Sequence, residues 1–140
     1  MKIESHEMNK IKVIVADDHD FIRGNLCTKL GETKNIKVIA QASNGKRAVE
    51  LTRELRPDVI IMDITMPVLN GIEATQQIFN EFPGVKIIGL SMHSGKEFVE
   101  EMLKAGAKGY LLKNCTIEEL KKAIHTVYTD KVYFGKGISR

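Results

Sequence analysis

Short apolar runs recur along the chain, and each ends at a charged or polar residue. Ile11–Ala16 ends at Asp17-Asp18, residues 59–62 at Asp63, residues 85–90 at Ser91 and residues 107–112 at Lys113. Runs of this kind read as strands buried on both faces, as in a parallel sheet, which keeps charge out of its interior and leaves it at the strand ends. Residues 37–41 form a further, less apolar strand. Between the runs the apolar spacing changes to that of helices. Residues 19–30 carry Ile22, Leu26 and Leu30, with Gly31 as a stop. Residues 44–55 carry Ala48, Leu51 and Leu55 behind Asn44 as cap, and Pro57 ends them. A loop over residues 63–70 holds Pro67 and leads into a helix at 72–82, with Thr75, Ile78, Phe79 and Phe82 on one stripe before Pro83-Gly84. Lys96–Ala105 is a fourth helix. Residues 116–129 form the last, with Ile117, Leu120, Ile124 and Val127 facing inward and Thr116 with Glu119 as a capping box.

Strict strand–helix alternation with short connections predicts an α/β fold: a doubly wound parallel sheet of five strands, right-handed crossovers and helices on both faces. In such a sheet the carboxyl ends of the strands line one crevice where ligands bind. The pattern therefore gathers three carboxylates (Asp17, Asp18, Asp63), the Lys113 ammonium and the Ser91 hydroxyl around one point. Carboxylates from separate strands suit Mg²⁺. Asp17 and Asp18 are neighbours whose side chains diverge, so one faces the metal while the other holds a water or the lysine. Alone, this pair also reads as a helix cap; Asp63 and Lys113 at the same edge tip the balance to a site. His6, His19, His93 and His125 are scattered and read as surface or packing residues.

Several chemistries are excluded by what is missing. Neither G-x-x-x-x-G-K-[ST] nor G-x-G-x-x-G occurs. Asp63-Ile64-Thr65 lacks the second aspartate of Asp-x-Asp-x-Thr, which would supply a general acid. A nucleophile, a metal and a charge clamp without a proton-transfer group accept a phosphoryl group and hold it, and are poorly equipped for turnover. The expectation is thus a switch and not an enzyme. With 140 residues, 43% hydrophobic and 28% charged, the chain suits one globular domain. Its net charge of +3 neither demands nor excludes nucleic acid. Cys27 and Cys115 have no C-x-x-C spacing and suit a reduced, cytoplasmic setting. Residues 1–10 are polar and read as a leader, with Met8 a candidate start; neither a signal peptide nor a membrane span is expected.

Asp17-Asp18-His19, Met62-Asp63-Ile64-Thr65-Met66-Pro67 with Asn70-Gly71, Leu90-Ser91-Met92-His93, and residues 106–113 together resemble a response-regulator receiver domain. The last two segments resemble the LuxR/NarL group of bacterial transcription regulators. The resemblance spans nearly all of residues 11–129 and implies a flavodoxin-like sheet in the order 2-1-3-4-5. It implies that Asp63 is the phosphoacceptor of a sensor histidine kinase. It implies that Asp18 and Asp63 ligate Mg²⁺, with Asp17 acting through water and the Thr65 backbone carbonyl completing the set. Lys113 and Ser91 would bind the phosphoryl oxygens, and Tyr110 would move with Ser91 as a switch pair. The last helix is a candidate for a homodimer contact on phosphorylation. DNA would be reached only through an output domain beyond this chain. Residues 130–140 then read as the start of a linker, or as a short apolar flap docking back on the domain. Alternatives are a stand-alone receiver-like interaction module and an Asp-based phosphotransferase.

Two positions depart from the general receiver pattern. Asn114 follows Lys113 where many receivers have proline, and a cis bond to asparagine would cost about 2.5–4 kcal/mol. Met92 follows Ser91 where a small residue is common; its thioether either shields an acyl phosphate or packs.

Overall fold

The computed structural model describes residues 10–138; the leader assigned to residues 1–10 lies outside them except for Lys10. Six strands and five helices alternate. They are β1 (Ile11–Ala16), α1 (Asp20–Gly31), β2 (Ile36–Ala42), α2 (Gly45–Leu55), β3 (Val59–Asp63), α3 (Gly71–Glu81), β4 (Lys86–Ser91), α4 (Lys96–Ala105), β5 (Gly109–Leu112), α5 (Ile117–Tyr128) and β6 (Tyr133–Phe134). The sheet is parallel, in the order β2-β1-β3-β4-β5-β6. The expected order of five strands is present, and a short sixth is added at the β5 edge.

Strand side chains alternate between two faces. Ile14, Ala16, Ile60, Met62, Ile87 and Tyr110 meet α2, α3 and α4. Val13, Val15, Ile61, Ile88 and Leu111 meet α1 and α5. All five residues of β3 are buried, as befits a central strand. Asn44, Asn70 and Thr116 cap α2, α3 and α5 by accepting from the backbone N–H three residues on.

Some inward-facing expectations fail at helix ends. Leu55 is 40% exposed and Phe79 38%. In α3 the buried stripe runs through Ala74, Thr75 and Ile78 instead. In α1 the expected stripe of Ile22, Leu26 and Leu30 is fully buried at Leu30 alone. The capping box of α5 is half made: Thr116 Oγ accepts from Glu119 N at 3.1 Å. Glu119 Oε2 turns away and accepts from Tyr133 Oη at 3.2 Å and Lys136 N at 2.9 Å. That carboxylate and the β5 edge hold the described part of the tail, residues 130–138, against the domain.

Candidate functional site

The strand ends bring the predicted residues to one edge. Asp17 follows the last residue of β1, Asp63 ends β3, Ser91 ends β4 and Lys113 follows β5. Pairing of Ala16 with Met62, and of Asp63 with Leu90, sets these ends level. Two glycines let the loop after Asp63 fold tightly against the helices. A Cβ on Gly71 would collide with the Asp63 carbonyl, and one on Gly45 with the Leu69 carbonyl. The loop is pinned by Gly71 N to Ile64 O at 2.7 Å and Gly45 N to Leu69 O at 3.0 Å.

Lys113 Nζ lies 3.1 Å from Asp63 Oδ2 and 3.2 Å from Asp17 Oδ2. The three side chains are 5%, 3% and 1% exposed. Two buried carboxylates thus share one buried ammonium, an arrangement that leaves one negative charge uncompensated. Burial, and secondarily Asp17, push the Asp63 carboxyl up to about 6, against the lowering pull of Lys113. Burial works against the Lys113 ammonium, but the carboxylates outweigh it and its pKa is raised. Asp63 Oδ1 accepts from Thr65 N at 3.3 Å. Asp17 Oδ1 accepts from His19 N at 2.8 Å. Asp17 Oδ2 is within ion-pair distance of Lys113 yet lacks the geometry of a hydrogen bond, which leaves a buried acceptor without a donor.

Asp18 is partly exposed at the mouth. Oxygens of Asp17, Asp18 and Asp63, with a nitrogen of His19, all lie within 4.8 Å of one another. Hard oxygen donors, surplus negative charge and an unsatisfied buried oxygen fit a hard divalent cation. His19 is the unexpected member. Its Nδ1 is 3.0 Å from Asp17 Oδ1, 3.3 Å from Asp18 Oδ1 and 3.3 Å from Lys113 Nζ. The scatter of histidines along the chain suggests a surface or packing residue; the place of His19 directly after the acidic pair is the sequence signal for its role here. Thr65 is exposed in the loop beyond Asp63.

Ser91 is buried, and its Oγ accepts from His93 N at 3.0 Å. Tyr110 is fully buried and donates its hydroxyl to the His93 carbonyl at 2.6 Å. His93 also stacks on Phe98, centroids 4.5 Å apart. The two predicted switch residues thus both bond to the backbone of His93, a residue expected only at the surface or in packing. Met92 is 75% exposed, which rules out packing as its role. No described peptide bond is cis, so Lys113–Asn114 is trans. Burial raises both thiols, Cys115 to about 11, so neither is a thiolate nucleophile.

The model of the response regulator receiver domain matches residues 13–125. The chain belongs to this family. Over 125 residues this receiver is 39% identical to the transcriptional regulatory protein DegU of Brevibacillus brevis, covering 89% of this chain and 53% of that protein. It is 40% identical over 124 residues to the oxygen regulatory protein NreC of Staphylococcus epidermidis, covering 88% and 57%. The receiver thus spans little more than half the length of these curated relatives. Among solved structures it resembles a LuxR-family response regulator from Aurantimonas sp. SI85-9A1, with TM-score 0.84, 31% identity and 89% of each chain covered. It also resembles the receiver domain of NarL from Mycobacterium tuberculosis, with TM-score 0.85, 28% identity, and 88% and 99% covered. These matches place it among receivers of the LuxR/NarL type. No helix among the described residues is long and apolar enough to cross a membrane.

Proposed function

We propose that residues 11–129 form a phosphoacceptor switch in which Asp63 takes a phosphoryl group from a phosphohistidine of a sensor kinase. The observation that carries this reading is the buried Asp63–Lys113–Asp17 cluster, an excess of buried negative charge at a ligand-binding strand edge. Asp18, Asp63 and the Thr65 carbonyl would hold Mg²⁺, with Asp17 acting through water. Mg²⁺, when bound, would neutralise charge on the transferring group and the surrounding carboxylates. In the transfer, an Asp63 carboxylate oxygen forms a bond to phosphorus as the phosphorus–nitrogen bond breaks, and the freed imidazole regains a proton. Lys113, already beside Asp63, stays to pair with a phosphoryl oxygen. His19 Nδ1 faces Asp17, Asp18 and Lys113, a placement that supports a role in holding those groups.

The aspartyl phosphate adds charge and acceptor oxygens where a single carboxylate stood. Ser91 turns its hydroxyl toward them and loosens its bond to His93 N. Because Tyr110 holds the same residue's carbonyl, the 92–95 loop and the α4–β5–α5 face respond together. The response is a shift between states already sampled. In a longer protein this face would govern a transcriptional output domain, and α5 would carry a homodimer contact. The test is beryllofluoride with Mg²⁺, followed by NMR. Shifts at Ser91, His93 and Tyr110 that vanish in Asp63→Asn are expected; an unchanged spectrum in the parent would contradict the switch.

A further inference from the structure

The arm that carries Asp17 and Asp18 is held by a side chain outside the crevice. Arg23 lies in α1, and its guanidinium makes three directed bonds. Nη1 donates to the Asp17 carbonyl at 2.6 Å, Nε to Gln41 Oε1 at 3.0 Å and Nη2 to Asp20 Oδ1 at 2.8 Å. Its backbone N–H donates to the His19 carbonyl at 2.9 Å. These acceptors belong to the turn after β1, to β2 and to the first turn of α1. The side chain is only 16% exposed.

The helix it sits on needs such a pin. Leu30, its one fully buried residue, lies at the far end. Near the crevice, Phe21 is 80% exposed and His19 makes no side-chain cap bond. Apolar packing therefore fixes the C-terminal half of α1, and Arg23 fixes the half that bears on Asp17, Asp18 and His19. A planar guanidinium presents several donors in fixed directions, which a lysine does not.

We propose that Arg23 is a positioning residue for the acidic crevice: by tying the Asp17 carbonyl to Gln41 and Asp20, it sets how the Asp17 and Asp18 carboxylates enter the site. The proposal rests on reading those carboxylates as cation-holding groups. It makes a prediction of sign. Arg23 is itself a cation, and its charge alone opposes binding of another. If charge were its whole effect, Arg23→Ala would tighten Mg²⁺; if positioning dominates, the same change weakens it.

The experiment is calorimetric titration of Mg²⁺ into the parent, Arg23→Ala, Arg23→Lys and Gln41→Ala proteins, with amide hydrogen exchange of each in chelator. Partners that orient metal ligands typically contribute 10–100-fold in affinity, so Arg23→Ala is expected to raise the Kd by roughly tenfold or more. Arg23→Lys is expected to recover only part of the loss, and Gln41→Ala to lose less than Arg23→Ala. Exchange is expected to speed up at residues 17–23 and to stay unchanged in β3, β4 and α5. If Arg23→Ala does not fold, Gln41→Ala, which removes one anchor of three, decides the matter. An unchanged or lowered Kd in a folded Arg23→Ala protein, or in Gln41→Ala where that decides, overturns the proposal. Absence of Mg²⁺ binding by the parent overturns the cation-site reading itself, and the proposal with it.

Discussion

Asp63 is buried beside one ammonium and a second carboxylate, and burial is the strongest influence on it. The raised value of about 6, against an ordinary 3.8, means the folded protein holds the Asp63 proton more tightly than the unfolded chain does. The Asp63 contribution to stability is then fully present below pH 3.8, and is lost as pH rises toward 6. Without metal, the parent is predicted to lose stability across that window for this residue's part. Asp63→Asn removes the buried charge and should flatten that part of the profile. It should also raise the metal-free Tm near neutral pH by several degrees, since about 1 kcal/mol moves Tm by roughly 4 °C at this size. Thermal melts in chelator at a series of pH values check both, and a higher parent Tm at pH 7 than at pH 5 with no change in Asp63→Asn would contradict them. At this scale the sequence was informative where a charge closes an apolar run, because burial of the run dictates where the charge sits. Asp17, Asp63, Ser91 and Lys113 were found that way. His93 and Arg23 carry no such mark, because loop and helix-turn side chains reach their partners through three-dimensional geometry that no local pattern encodes; His19 is marked only by its place directly after the acidic pair.

The elements tell a similar story. The alternation of elements and the buried parallel sheet followed from apolar periodicity, while the strand order came with the receiver resemblance. Leu55 and Phe79 fail where a helix leaves the core, since periodicity carries no mark of where contact stops; in α1 the failure is at Ile22 and Leu26, and only Leu30 near the end is fully buried. β6 escaped because a strand of two residues has no period. The tail's hold on the domain is both apolar and polar: Tyr133, Phe134 and Ile138 pack partly buried against the core, and hydrogen bonds add to that packing. Gly135 N donates to the Tyr110 carbonyl at 2.9 Å, Tyr133 N to the Lys108 carbonyl at 3.0 Å, and Glu119 takes two further bonds. Hydrogen bonds to a charged group contribute about 1.5–3 kcal/mol when shielded and less when partly exposed. Glu119→Ala should therefore destabilise the domain by about 1–2 kcal/mol and speed amide exchange at Gly135 and Lys136. Intact protection at those amides in the variant would show that strand pairing and packing hold the tail without Glu119.

Across the whole molecule, two features share β5. Lys113 follows its carboxyl end in the crevice, and its outer edge carries the tail through Tyr110 and Lys108. The tail thus pairs with the strand that bears Tyr110, the tyrosine of the proposed switch pair. The account depends on Asp63 being the group that is phosphorylated. Its most direct test is the intact mass of the parent and of Asp63→Asn after incubation with acetyl phosphate and Mg²⁺. The account predicts one added phosphoryl group on the parent, none on the variant and none when Mg²⁺ is chelated. An unmodified parent, or an equal adduct on Asp63→Asn, would contradict it.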